Sequence, residues 1–302
     1  MTFSQILQVL SVAAGAALTL WPAAFMDTAD QRADPPPAYQ GYTLVWADEF
    51  DRDGPPDPAK WTHERGFVRN QELQWYGPDN AKVAGGLLVI EARRERVPNP
   101  GFDRGSRDAP APGQPADWRR REFAEYTSAS LMTKGLHSWQ YGRFEMRGRI
   151  DTRAGLWPAY WTLGVKGTWP HNGEIDIMEY YRGLLLANAA WGGTERFQPI
   201  WDDSRTPIAS FGTAWPGAFH VWRMDWDERT IALSVDGQRL NDIDLTKTIN
   251  QDGTRTNPFH QPHYLLVNLA VGGTQGGDPS STAFPARFEI DYVRVYQRVA
   301  GN

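Results

Sequence analysis

The chain has 302 residues, 14 of them tryptophan, no cysteine, and a formal net charge of -5 with the two signs interspersed. Lack of cysteine excludes disulfide frameworks, thiolate metal sites and cysteine nucleophiles together, and without a basic block there is no phosphate-binding footprint for nucleic acid. It does not argue against export, because a domain of this length buries enough surface without staples.

Residues 1–37 stand apart from the rest. From Ile6 to Phe25 the chain is almost uninterruptedly apolar, and Asp27, Asp30, Arg32 and Pro35-Pro36-Pro37 follow. This reads as a secretory signal peptide and linker. No Lys or Arg precedes the run and no A-x-A site closes it, so a retained membrane anchor is the competing reading. Either way residues 38–299 form a domain outside the cytoplasm, secreted or periplasmic, with no other membrane contact and a monomeric state expected.

From Tyr42 onward the pattern is that of strands. The stretches Leu87 to Ala92, Tyr141 to Ile150, Thr230 to Val235 and Phe288 to Tyr296 are separated by Gly, Pro, Asn and Asp clusters. Val235-Asp236-Gly237-Gln238 carries the Asp-Gly signal of a tight hairpin. Long helical periodicity is missing, which leaves room only for a helical turn between residues 197 and 217. The segment from Val97 to Trp118, rich in Pro, Gly, Asp and Arg, reads as a long exposed loop. The run Arg119-Arg120-Arg121, followed by Glu122, reads as solvated. Many short strands with no interior proline predict an all-β sandwich of two sheets or a jelly roll. The tryptophans are expected to divide about half to the core and half to a groove.

The most informative segment is Gly173-Glu174-Ile175-Asp176-Ile177-Met178-Glu179. Its aliphatic residues mark a strand, yet three acids sit among them. Residues two apart share a strand face, so Glu174 and Asp176 point the same way, while Glu179 would face the other side of a regular strand. One extra residue, a β-bulge at Ile177-Met178, restores the parity. If the three acids act together, that bulge is required. The outer Cα atoms then lie roughly 13 Å apart, and side chains leaning together on a concave surface close to about 5–6 Å, the separation of a retaining glycosidase. In that scheme Glu174 is the nucleophile and Glu179 the general acid/base. Asp176, between them, holds one carboxyl and keeps their pKa values apart. The competing reading is an edge strand whose acids merely face water.

The string GEIDIME resembles the signature of glycoside hydrolase family 16 in its bulged, laminarinase-like form. The likeness runs from Tyr42 to Gln297 through Asp48-Glu49-Phe50, Asn70-Gln71-Glu72-Leu73-Gln74, Tyr126-Thr127-Ser128, Tyr141-Gly142-Arg143-Phe144-Glu145, Gly155-Leu156-Trp157-Pro158-Ala159-Tyr160-Trp161, Trp169-Pro170, Asn268-Leu269-Ala270-Val271-Gly272-Gly273 and Asp291-Tyr292-Val293-Arg294-Val295-Tyr296. The resemblance implies a concanavalin-like β-jelly roll of two antiparallel sheets with a concave cleft for polysaccharide. It implies that Glu174, Asp176 and Glu179 are nucleophile, helper and acid/base. Trp157, Trp161 and Trp169 match cleft aromatics, and Asn70 and Glu72, expected on one face, match residues that bond sugar hydroxyls in the negative subsites. No cofactor is required for the chemistry. A structural calcium is the one metal implied, held by Glu49, the backbone of Gly86 and Asp291, since oxygen ligands suit that ion. His260 and His263 have no further metal-type ligands beside them in sequence and read as structural.

Two departures bear on substrate. Laminarinase-like members commonly show two histidines on the strand after the acids; here the stretch is Leu186-Ala187-Asn188-Ala189-Ala190-Trp191-Gly192-Gly193, and Trp191 is expected to replace one of them, facing the cleft. The 97–118 loop is placed to wall or block one cleft end. The leading expectation is a secreted endo-acting hydrolase of β-1,3-glucan or mixed-linkage β-1,3-1,4-glucan. A β-galactan hydrolase (agar-, carrageenan- or galactan-like) is the alternative, with Arg69 and Arg143 as local cations for a sulfated substrate. A non-catalytic glucan-binding protein on the same fold is a third reading, although such proteins lack one or both glutamates.

Overall fold

A computed structural model describes residues 34–103 and 118–299. Its strands are β1 (Tyr42–Asp48), β2 (Thr62–His63), β3 (Gln74–Tyr76), β4 (Ala81–Ala84), β5 (Leu87–Ala92), β6 (Val97–Pro98) and β7 (Phe123–Ala124). They continue with β8 (Tyr126–Ser128), β9 (Ser130–Met132), β10 (Gly142–Arg149), β11 (Leu156–Gly164), β12 (Glu174–Tyr181) and β13 (Leu184–Gly192). The last are β14 (Pro199–Asp202), β15 (Arg205–Pro207), β16 (His220–Trp226), β17 (Thr230–Val235), β18 (Gln238–Asp244), β19 (His263–Val271) and β20 (Ala286–Arg298). The stretch 197–217 holds two short 3-10 turns, Ile208–Phe211 and Trp215–Gly217.

Two eight-stranded antiparallel sheets make the sandwich. One runs β18-β17-β16-β10-β20-β5-β4, with β1 also on β20; the other runs β14-β13-β12-β11-β19-β9-β2, with β15 also on β13. The sequence period explains the layering. In β10, Phe144 and Met146 are fully buried in the core, and the alternating Arg143, Glu145, Arg147 and Arg149 form the outer face. In the other sheet, Tyr160 of β11, Ile175 of β12, Leu185 and Ala189 of β13, and Leu265 and Val267 of β19 meet the same core. At roughly 25 cal/mol per Å² of apolar surface, this shared core is the main stabilising contribution.

The hairpin expected at Asp236-Gly237 closes β17 onto β18, with Val235 opposite Gln238 and both turn residues at positive φ, 49° and 81°. This is the backbone that two-residue hairpins favour. One expectation fails in a central strand: Pro158 lies inside β11. It is tolerated because the ladder to β12 begins only at Ala159, so the missing N–H falls beyond the paired segment.

The placement of Trp191 is also corrected. In β13, Ala190, Asn188 and Leu186 are the register partners of Glu174, Asp176 and Glu179. Trp191 therefore has the opposite parity and points between the sheets, in the core with Leu185, Ala187 and Ala189. Counting from Ala187 gave the right parity, but the face that Ala187 belongs to is the inner one. Among the described tryptophans, Trp61, Trp139, Trp222 and Trp226 join Trp191 in the core. Trp191→Ala should lower the unfolding free energy by about 3–5 kcal/mol, as large aromatic truncations in a core do. Chemical denaturation reads this directly, and a loss below about 1 kcal/mol would fit an open, cleft-facing ring instead.

Candidate active site

The cleft face is the side of the second sheet turned away from the core. Ile175 packs inward and Asp176 outward; then Ile177 and Met178 both pack inward, and Glu179 returns outward. The register to β11 jumps here, from Trp161 opposite Asp176 to Tyr160 opposite Met178, and the register to β13 shifts between Asp176 and Glu179. That is the expected bulge. Leu163 and Ala159 of β11 lie opposite Glu174 and Glu179, so four effective steps separate the outer acids. Gly173 enters the strand at φ 79°, where an added Cβ would meet Pro258 at 2.9 Å, so this approach requires glycine.

Each acid has a distinct hydrogen-bond environment. Trp169 Nε1 donates to Glu174 Oε2 at 2.7 Å, and Trp157 Nε1 donates to Glu179 Oε1 at 2.6 Å. Asn188 Nδ2 donates to Asp176 Oδ2 over 3.4 Å. Burial drives the carboxyl of Asp176 well above its ordinary range, and the neighbouring charges of Glu174 and Glu179 drive it further. Both effects favour the protonated form of Asp176, whose hydroxyl is the donor in its hydrogen bond to Glu174. Burial also raises Glu174, but the indole of Trp169, the hydroxyl of Asp176 and the charge of Arg69 oppose the rise and favour its carboxylate. Glu179 is pushed up to about 8, by burial first and by the charges of Glu174 and Glu72 with it, although Trp157 pulls the other way. Donors and a cation favour the carboxylate form of Glu174, while burial and neighbouring charges favour the proton on Glu179, different surroundings of the kind that acid–base chemistry at a glycosidic bond needs.

The cleft floor beside the acids is built by register. Trp157 and Trp161 share the face of Glu179 and Asp176. Trp161 Nε1 donates to Asn268 Oδ1 at 2.7 Å, and the Arg69 guanidinium lies 5.0 Å over its ring. Asn268 Nδ2 in turn reaches the hydroxyl of Tyr76 at 3.2 Å, and Tyr76 bonds Glu72. Glu72 is 3% exposed and also accepts from Gln74 Nε2 at 2.7 Å. Its carboxyl therefore belongs to a buried polar relay ending on Trp161. Nor do Asn70 and Glu72 share a strand: Asn70 and Gln71 both have positive φ, 53° and 54°, in a turn that leaves Asn70 exposed. Asn268 is the residue that sequence reasoning left without a role, although its parity with Leu266 on β19 would have placed it here.

Other expected contributors lie elsewhere. Arg143 is on the outer face of the opposite sheet, where its Nε donates to Asp225 Oδ1 at 2.6 Å, so it cannot serve the cleft. Arg121 is not solvated: its guanidinium donates to the carbonyls of Glu72 and Gln71, the latter at 3.0 Å, and lies 4.8 Å over Phe67. It ties the base of the 97–118 loop to the cleft rim, and β6 pairs with β7 to close that base. Residues 104–117, and with them the expected wall, lie outside the described residues, as does the apolar segment 6–25. His263 is fully buried between Thr162 Oγ1 and the carbonyl of Pro258, each at 3.0 Å, and has a structural role. His260 reaches the carbonyl of Glu228 at 3.1 Å.

The carboxylates implied for calcium have arginine partners. Glu49 engages Arg294 at 2.7 and 2.8 Å, and Asp291 accepts from Arg147 at 2.7 Å. Gly86 forms the β4–β5 turn at φ 81°. Each of these carboxylates is thus engaged by a guanidinium.

An antiparallel sandwich with two glutamates and an aspartate on one face of a bulged strand is the architecture of a glycosidase. The chain belongs to glycosyl hydrolases family 16, whose profile matches residues 119–294. A beta-glucanase of Rhodothermus marinus is 38% identical, with 89% of this chain and 88% of the relative covered. The catalytic domain of an endo-1,3-beta-glucanase (laminarinase) from Thermotoga petrophila RKU-1 superposes with a TM-score of 0.70 at 32% identity, covering 86% of this chain and 99% of the other. A structure from work on endo-acting O-glycanases of human gut bacteria that initiate mucin breakdown has a TM-score of 0.76 at 33% identity, covering 88% and 94%.

The Trp157 contact makes a signed prediction. Its N–H stabilises the charged form of Glu179, so Trp157→Phe should move the Glu179 titration from about 8 to higher pH. The shift should be about one pH unit, the worth of a hydrogen bond to a charged group. Carbon-13 NMR of the labelled carboxyl measures it; an unchanged or lower midpoint would refute the assigned contact.

Proposed function

We propose that this protein is a retaining endo-acting β-glucan hydrolase that cuts β-1,3-glucan of the laminarin type, or mixed-linkage β-1,3-1,4-glucan, by double displacement. The observation that carries the mechanism is the bulged strand, which sets Glu174 and Glu179 on one face, each held by its own indole N–H. Glu174 attacks the anomeric carbon while Glu179 gives its proton to the departing glycosidic oxygen, which leaves a glycosyl ester on Glu174. Glu179, now a carboxylate, takes a proton from water as that water attacks the same carbon and releases Glu174. Asp176 keeps its proton throughout and steadies Glu174. Trp157 and Trp161 offer flat faces for sugar rings, and Asn70 reaches hydroxyls of the sugar being transferred. The glucan assignment is supported by the beta-glucanase and laminarinase relatives. The domain of residues 38–299 is the catalytic unit in this reading, and the apolar 6–25 segment supports export.

Reducing-sugar release across laminarin, lichenan, agarose and galactan tests the substrate. Release from laminarin or lichenan is expected, and none from either would sink the assignment. Glu174→Ala should abolish turnover and leave oligosaccharide binding largely intact, measured by calorimetry; undiminished turnover in that variant would exclude Glu174 as the nucleophile.

A further inference from the structure

β14 and β15 both pair with β13 at the edge of the cleft sheet, on the side of β12 opposite β11 and β19. Ala190 of β13 is the register partner of Glu174 on one side and of Trp201 on the other. Directly opposed residues of antiparallel strands project to the same face, so Trp201 stands on the face of Glu174. The alternation is fixed independently by its neighbour: Ile200 pairs with Trp191 and packs against the core. Trp201 is 42% exposed, and its indole makes no ring contact or hydrogen bond among the described residues. An indole of this size with so little packing does not earn its place through the core.

The strip next to it reaches the reaction centre. Arg205 of β15 pairs with Leu186, the register partner of Glu179, and its charge is felt by Glu179 and by Tyr181. At the other end the His171 ring covers Gly192, where an added Cβ would meet it at 2.2 Å. Trp201 therefore lies between these limits and two strand spacings from Glu174, about 10 Å.

The function proposed above, on which this inference rests, puts the transferred sugar over Trp161 and Asn70. The leaving chain must then cross β13 toward the β14 edge. We propose that Trp201 is the stacking platform for a β-linked hexopyranose of the leaving chain, about two rings beyond the bond that is cut. The indole face meets the apolar face of the sugar, so the site selects ring shape and linkage geometry, not charge. It takes the aromatic role that the sequence had assigned to Trp191.

The test compares wild type, Trp201→Ala and Trp201→Phe on laminarihexaose and on an aryl laminaribioside, whose leaving group is too short to reach β14. For Trp201→Ala the ratio of kcat/KM on the hexasaccharide to that on the aryl glycoside should fall about tenfold, mainly through KM, and Trp201→Phe should restore most of it. A purely structural residue would lower both substrates alike. A wild-type ratio retained by Trp201→Ala, with wild type active, overturns the platform alone. If wild type cuts only mixed-linkage oligosaccharides, the same ratio is read on that series; wild type inactive on both series overturns the β-glucanase reading, and the platform with it.

Discussion

The active face depends on one extra residue. A regular strand over Glu174–Tyr181 would send Glu179 into the core, where an unpaired carboxyl is costly. With Ile177 and Met178 both turned inward, the bulge lets the strand keep its hydrophobic anchors and still present Glu174, Asp176 and Glu179 together. The backbone is thereby held on both sides, by β11 and by β13, so the spacing of the acids is set by two ladders and not by flexible side chains.

The two faces of the sandwich handle charge in opposite ways. On the outer face arginines and carboxylates of neighbouring strands pair directly, as in Arg143–Asp225, Arg149–Glu289 and Arg223–Glu145. Such pairs contribute little stability each, about 0–1 kcal/mol where solvated, and each occupies its carboxyl with a guanidinium. On the cleft face the acids are met by indole and amide N–H groups instead. Those donors orient a carboxyl without neutralising it, and burial then separates the acids by their surroundings. The relay from Glu72 through Tyr76 and Asn268 to Trp161 applies the same logic one layer out. A buried, satisfied network fixes a ring that has to stay where a sugar will meet it.

The arrangement also divides the cleft. On the β11 and β19 side the floor is crowded with polar partners and two indoles. On the β13 side it is paved by Ala190 and Gly192, and the large exposed ring comes only at the edge strand. The two sides of the acids therefore offer a substrate different physics, polar groups with indoles on one and an edge ring on the other.

The sequence by itself determined the strand content, the hairpin at Asp236-Gly237, the bulge and the roles open to the three acids, because each follows from local parity and turn chemistry. It could not assign faces where the local signal is symmetric. Trp191 and Trp201 are equally aromatic and both sit in strand-like text, and only the ladder to Glu174 shows that the first faces the core and the second the cleft. The same limit applies to Arg121, Arg143, Glu49 and Asp291, whose partners are distant in sequence: a charge can be read from one residue, but its compensation needs the fold. Tertiary structure likewise closed Glu72 into a relay and brought Asn268 under Trp161. Parity is a property of one strand, whereas inside and outside are properties of two sheets.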